Sequence, residues 1–162
     1  MGSGKGKARR AKTASVAVVS DTPATNILED GTKEWRNEKR ELHRVGGPAI
    51  VHADNSSKYW YRNGELHRED GPAAVSSEGK AWFRNGLRHR SDGPAVELEN
   101  GDKQWYTNGE PHRVDGPAVE RADGTKEWWF DGKQVNEEEI RDAYLSKHLK
   151  NVKLDMPEKV TF

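Results

Sequence analysis

Tryptophan recurs in this chain on a nearly fixed beat. Trp35, Trp60, Trp82, Trp105 and Trp128 are separated by 25, 22, 23 and 23 residues. His43, His67, His89 and His112 follow at steps of 24, 22 and 23, and Pro48, Pro72, Pro94 and Pro117 keep the same steps. Three residue types held in phase over four units constrain the fold more than any other feature. A period of roughly 20–50 residues marks supersecondary units that bury a continuous core only by stacking on their neighbours.

One unit reads "GPAVELENGDKQWYTNGEPHRVD", residues 93–115. Pro94 stiffens the start of a short strand over 95–99, in which Val96 and Leu98 alternate with Glu97 and Glu99. That alternation is the period of a half-buried strand. Asn100-Gly101 predicts a type I′ hairpin turn, which needs positive φ at both central residues. A return strand is expected over 103–107, around Trp105 and Tyr106, and Asn108-Gly109 predicts a second turn. The "EPHRVD" segment then runs on as a third, short extended piece. Each Trp is the large apolar side chain of its return strand and is expected to anchor the core. Tyr61, Phe83, Tyr106 and Trp129 each follow a repeat Trp. Strand alternation puts them on the opposite face. There they form either a row for a partner or a second packed layer.

Composition supports a lean stacked core. The chain has 162 residues, 32% hydrophobic and 33% charged, with 6 Trp and 16 Gly. This length suits one domain. No apolar run reaches the roughly 18 residues of a membrane helix, so no membrane association is expected. The polar start has no signal-peptide pattern. Cysteine is absent, which removes disulfides, thiolate metal ligands and Cys nucleophiles. No cofactor is expected.

Charge is unevenly placed. Residues 1–26 carry Lys5, Lys7, Arg9, Arg10 and Lys12 against Asp21 alone, although the whole chain is balanced at 27 basic and 27 acidic residues. This stretch is expected to be a flexible basic arm, because Gly, Ser, Ala, Thr and Lys bury too little surface to fold alone. Its one apolar run, "SVAVV" at 15–19, contains Val16 and Val18 and suits strand addition to a partner's sheet edge.

The units over 30–135, with an aromatic strand before an Asn-Gly turn, resemble MORN-type repeats in a variant form. The "NGxxHRxDGPA" pattern, as in "NGELHREDGPA" at 63–73 and "NGEPHRVDGPA" at 108–118, is similar to repeats in phage and large-virus proteins. The resemblance implies a β-hairpin ribbon used as a scaffold or contact surface rather than as an enzyme. The expected role is a phage or viral component that docks through its N-terminal arm on an assembly of structural proteins, in several copies, in the virion or the host cytoplasm. Nucleic-acid binding through the basic arm, or inhibition of a host factor, is the alternative.

The end units are irregular. "WRNEKRELHRVGGPA" has Gly46 where other units have Asp, and "WWFDGKQVN" has Val135 at the His place. Asn136 followed by Glu139 predicts a helix start over a capping helix at 136–150. Ile140, Tyr144 and Leu145 are expected to share its packed face. Residues 151–162 are expected to be an extended tail. The fold class is therefore all-β: a tandem β-hairpin ribbon or solenoid of about five units over 27–135, with a helical cap and a flexible arm.

A His three residues before an Asp invites a catalytic reading. But His67 with Asp70, His89 with Asp92 and His112 with Asp115 repeat the same relation. Arg68, Arg90 and Arg113 accompany them, and Arg cannot serve as a base. Active sites are not built in triplicate along a ribbon. The structural reading is that each Asp accepts backbone N–H groups in the turn before Gly-Pro, while each imidazole packs on Trp or bonds a carbonyl of the next unit. A metal-binding His ladder is the other reading.

Overall fold

In a computed structural model of the chain, residues 24–149 are described. The strands are short. The chain opens with β1 (Asn26–Ile27), β2 (Lys33–Glu34), β3 (Ile50–Val51) and β4 (Lys58–Tyr59). A small hairpin follows, β5 (Tyr61–Arg62) with β6 (Glu65–Leu66). The alternation then repeats: β7 (Ala74–Ser76) and β8 (Gly79–Ala81), then β9 (Phe83–Arg84) and β10 (Leu87–Arg88). Next come β11 (Val96–Leu98) and β12 (Lys103–Gln104), then β13 (Tyr106–Thr107) and β14 (Glu110–Pro111). Strands β15 (Val119–Glu120), β16 (Lys126–Phe130) and β17 (Lys133–Val135) lead into α1 (Glu137–Leu149).

Eleven strands make one antiparallel sheet in the order β1-β2-β3-β4-β7-β8-β11-β12-β15-β16-β17, which does not close into a barrel. The three small hairpins lie beside it. The architecture is thus mostly β, with one C-terminal helix among the described residues.

Trp35, Trp60, Trp82 and Trp105 sit where the chain leaves the main sheet for a small hairpin or bridge, whereas Trp128 lies within β16. Trp105 donates its N–H to Ala118 O at 2.8 Å, while its own carbonyl accepts His112 N–H at 3.1 Å. Its two backbone groups thus serve two different neighbours. The return strand expected over 103–107 is therefore split into β12 and β13, and "EPHRVD" begins as the second arm of a hairpin rather than as a lone extended piece. Trp35, Trp60 and Trp82 make the same pair of bonds, to Ala49, Ala73 and Ala95 and from His43, His67 and His89.

The small hairpins are tied to one another as well. Arg68 N–H donates to Phe83 O at 3.2 Å and Gly86 N–H to Leu66 O at 2.9 Å. The same bonds recur one unit on, from Arg90 to Tyr106 and from Gly109 to Arg88.

Two turn chemistries recur. Asn63-Gly64, Asn85-Gly86 and Asn108-Gly109 have positive φ at both residues, as a type I′ turn demands. Asn100-Gly101 corrects the expectation: of the two, only Gly101 has positive φ (97°). Leu98 N–H reaches Asp102 O at 2.9 Å and Gly101 N–H reaches Leu98 O at 3.0 Å. This is a three-residue loop with a glycine bulge, and the Asn100 side chain caps Asp102 N–H at 3.0 Å.

The tightest positions are small. Ala49, Ala73, Ala95 and Ala118, each directly after the repeat Pro, are 0% exposed. Val96 and Val119 extend the buried stripe. Trp35 is buried, whereas Trp60, Trp82, Trp105 and Trp128 are half-buried.

At the C-terminal end, Asn136 Oδ1 accepts Glu139 N–H at 2.8 Å and Glu139 accepts Asn136 N–H at 3.0 Å. This is the reciprocal capping box the sequence predicts. The helix packs against β16 through a narrower face than expected: Ile140 is buried, but Tyr144 and Leu145 are exposed. Lys147 adds an ion pair to Asp131 and lies 5.4 Å from the Phe130 ring centroid.

Of the expected arm, Lys5, Lys7, Arg9, Arg10, Lys12, Val16 and Val18 lie outside the described residues, as does the tail 151–162. Asn26, assigned to the arm by composition, belongs to β1.

Candidate functional site

The repeated His-Arg-x-Asp-Gly-Pro segment folds around its arginine. The Arg68 guanidinium lies 4.2 Å from the Trp60 ring centroid, Arg90 4.0 Å from Trp82 and Arg113 4.0 Å from Trp105. Arg44 takes the same place over Trp35 at 3.8 Å. A guanidinium over an indole face is favourable because the ring quadrupole attracts the cation.

The Gly of Gly-Pro closes the other side. A Cβ on Gly71 or Gly93 would stand 3.0 Å from the guanidinium carbon, and on Gly116 2.9 Å. None of these glycines has positive φ. Their lack of a Cβ serves close approach of the guanidinium rather than turning. Each cation is therefore held between an indole and a bare backbone.

Its hydrogen bonds are equally regular. Nε donates to Oδ1 of the Asp two residues on: Arg68–Asp70 at 2.8 Å, Arg90–Asp92 at 2.9 Å and Arg113–Asp115 at 2.8 Å. One Nη donates to the carbonyl of the repeat Pro, at 3.3 Å for Pro72, 3.1 Å for Pro94 and 3.2 Å for Pro117. Arg44 makes the same bond to Pro48 at 3.2 Å. Glu97 and Glu120 add a second carboxylate to Arg90 and Arg113.

The Asp residues thus clamp arginine instead of capping backbone N–H groups, which corrects the turn-chemistry expectation. The arginine's hydrogen bond, in each case the largest cause, holds the Asp70, Asp92 and Asp115 carboxyls below the ordinary range.

The histidines face the next unit. Nδ1 of His43 accepts Asn63 N–H at 3.1 Å, that of His67 accepts Asn85 N–H at 3.1 Å and that of His89 accepts Asn108 N–H at 3.2 Å. His112 does the same for Asp131 N–H at 3.1 Å. Each bond ends on the first residue of a tight turn with positive φ. The expected bond to the next unit exists, but with the reverse polarity: imidazole is the acceptor. At His43 and His89, where Nδ1 meets only this N–H, the bond needs a lone pair on Nδ1. His67 Nδ1 also lies 2.8 Å from Asn85 Oδ1, and His112 Nδ1 2.9 Å from Asp131 Oδ1.

His and Asp of one unit are therefore engaged with different partners, His with the following turn and Asp with its own arginine. The geometry does not assemble a His–Asp dyad. Among the described residues no group of three or more His, Cys, Asp or Glu is placed to hold a metal ion. No helix among them is long and apolar enough to cross a membrane.

The second aromatic row is half-buried at Tyr61, Phe83, Tyr106 and Trp129. Tyr106 Oη donates to Gln104 at 3.2 Å, and Trp129 Nε1 donates to Glu127 at 3.1 Å. Burial pushes the Tyr61 hydroxyl pKa up. These contacts have the character of a thin packed layer.

The residue that sequence reasoning undervalued is the arginine. Its signal was available: Arg follows Trp by 8 residues in three units and by 9 in the first, which carries an extra residue.

The chain matches no protein-family model, no curated protein and no solved structure.

An acid test follows from the clamps. A carboxyl whose folded pKa is depressed contributes stability above its unfolded value of about 3.9, and loses it as pH falls through the folded value. Replacing Asp70, Asp92 and Asp115 together by Asn is expected to flatten the fall in urea midpoint between pH 5 and pH 3. The change will be small, because these side chains are 83%, 79% and 77% exposed and well screened.

Proposed function

We propose that this chain is a non-catalytic interaction protein: a MORN-variant-like ribbon of tandem hairpins that docks on a larger assembly and presents its repeated face. The observation that carries this reading is equivalence. Indole, guanidinium, Pro carbonyl and imidazole recur with nearly the same distances from unit to unit. A catalytic centre is a singular arrangement with groups of differing task. Repetition of one arrangement serves rigidity and a periodic surface.

The basic arm is the docking element, a viral structural assembly is the partner, and the virion or the host cytoplasm is the place. The excess positive charge in residues 1–23 suits an acidic receiving surface. Deletion of residues 1–23 is the test. This cut spares Thr25, whose N–H bonds Glu34 O at 2.9 Å, and Asn26 in β1.

The truncated chain is expected to melt as the full chain does and to lose co-purification of its partner. Undiminished co-purification would refute the arm's role. Loss of a nucleic-acid partner instead, with affinity that falls steeply with salt, would favour the alternative of a nucleic-acid binder.

A further inference from the structure

Two open grooves lie on the face formed by the Arg–Asp loops. The first, about 490 Å³, runs between the loop of Arg68 and Asp70 and the loop of Arg90 and Asp92, with Trp82 in its lining. The second, about 620 Å³, lies one unit further on, between the loops of Arg90 and Arg113, and is lined by Trp105. His89, Arg90, Ser91 and Asp92 line both. The grooves therefore share a wall and form one track.

Three properties define what fits the track. The first is charge. Arg68, Arg84 and Arg90 face Glu69, Asp70 and Asp92 in one groove, three against three. Arg90 and Arg113 face Asp92 and Asp115 in the other, two against two. The Arg, Asp and Glu side chains of each lining therefore cancel. A polyanion gains little from such a surface, because its binding rests on uncompensated cations.

The second property is backbone saturation. An extended peptide draws affinity from an open sheet edge. Here Arg68 and Arg90 N–H are bonded to Phe83 and Tyr106, and the Pro72 and Pro94 carbonyls to arginine. These four groups are therefore not open to a docking strand.

The third property is the kind of polar group. The arginine takes Oδ1 of each Asp, and the carboxylates remain about four-fifths exposed, with Oδ2 available as an acceptor. Ser91 and Thr107 supply hydroxyls, and the half-buried indoles of Trp82 and Trp105, each with a guanidinium over one ring face, supply the apolar part of the lining. Acceptors, donors and an apolar surface held in fixed relation suit a ligand that is uncharged, rich in hydroxyls and apolar on its C–H faces.

We propose that this track binds an uncharged β-linked polysaccharide, adjacent grooves taking successive stretches of one glycan chain. Each unit adds two strands to the main sheet, so the grooves recur at about 10 Å, twice the strand spacing. An extended β-linked disaccharide spans a similar length. Linked occupancy of two grooves raises avidity without any new contact. This assignment rests on the repeated face being a binding surface and specifies its ligand.

Titration of the full chain with cellohexaose and with chitohexaose, read by tryptophan fluorescence, tests it. At least one hexasaccharide is expected to saturate the signal, and to bind at least ten-fold more tightly than its disaccharide. Ser91→Trp places bulk on the exposed shared wall. It is expected to abolish this binding while leaving the unfolding midpoint unchanged. No saturation by either hexasaccharide would overturn the proposal. So would equal affinity for disaccharide and hexasaccharide, unchanged binding by Ser91→Trp, or preferential binding of heparin. Deletion of residues 1–23 is expected to leave the titration unaltered, so failure of arm docking and failure of the groove are read separately.

Discussion

Trp105→Ala is expected to lower the free energy of unfolding by roughly 3–5 kcal/mol, the range for removing a large aromatic side chain from a packed site. Trp105 is only half-buried, so the loss of its own buried area does not explain so large an effect. The rest comes from Arg113. Without the indole, that guanidinium loses the ring 4.0 Å away while its bonds to Asp115, Pro117 and Glu120 still fix it in place. Since native proteins are stable by only about 5–15 kcal/mol, the variant should unfold well below the parent's midpoint. Tyr106→Ala, one residue on, is expected to cost clearly less, because it leaves the Trp–Arg–Gly stack intact. Equal losses in chemical denaturation at the two positions would show that the stack has no special weight.

Gly79→Ala is expected to be worse than its single methyl suggests. Gly79 is paired with Leu98 across β8 and β11, in the middle of the main sheet. A Cβ there would stand 2.2 Å from the Glu97 carbonyl oxygen and 2.8 Å from the Leu98 Cα, both backbone atoms that cannot swing away. The backbone at φ 144° adds strain for any L side chain. The strands must separate locally, which breaks pairing between two central units. A destabilisation of more than about 3 kcal/mol places this among the exceptional point substitutions. Gly124→Ala is the control. Its Cβ would meet nothing within 4 Å, and only the cost of φ 87° remains. A denaturant midpoint for Gly79→Ala equal to that of Gly124→Ala would contradict the close approach of β8 to β11.

Much of this structure was legible in the sequence wherever a short-range rule governs. Asn108-Gly109 names its own turn because few residues other than Asn and Gly take positive φ cheaply. Asn136 and Glu139 name a helix start because the capping box closes within four residues. Asn100-Gly101 misled because the same dipeptide also ends a three-residue loop, and the choice depends on the register of β11 against β12.

The arginine stack was hidden for a different reason. It depends on Trp leaving the main sheet, which folds residue 113 back over residue 105. A continuous strand would have carried them apart. The close approach of the glycines after Asp to the guanidinium is equally a matter of that fold-back, which spacing alone does not disclose. The His–Asp pair looked chemical because the two are near in sequence. In space each is committed to another partner, and only the repetition hinted at that.

Amide hydrogen exchange separates architecture from chemistry at the histidines. In the parent chain, the N–H groups of Asn85 and Asn108 are held by the imidazoles of His67 and His89. His89→Ala is expected to speed exchange at Asn108 while leaving Asn85 protected, and His67→Ala is expected to do the reverse. Each should lower global stability by about 1 kcal/mol, the usual worth of one lost hydrogen bond. Matching, unit-by-unit losses of protection are the signature of imidazoles that join neighbouring turns. Unchanged exchange at Asn108 in His89→Ala would contradict that role and return the histidine to the list of candidate functional groups.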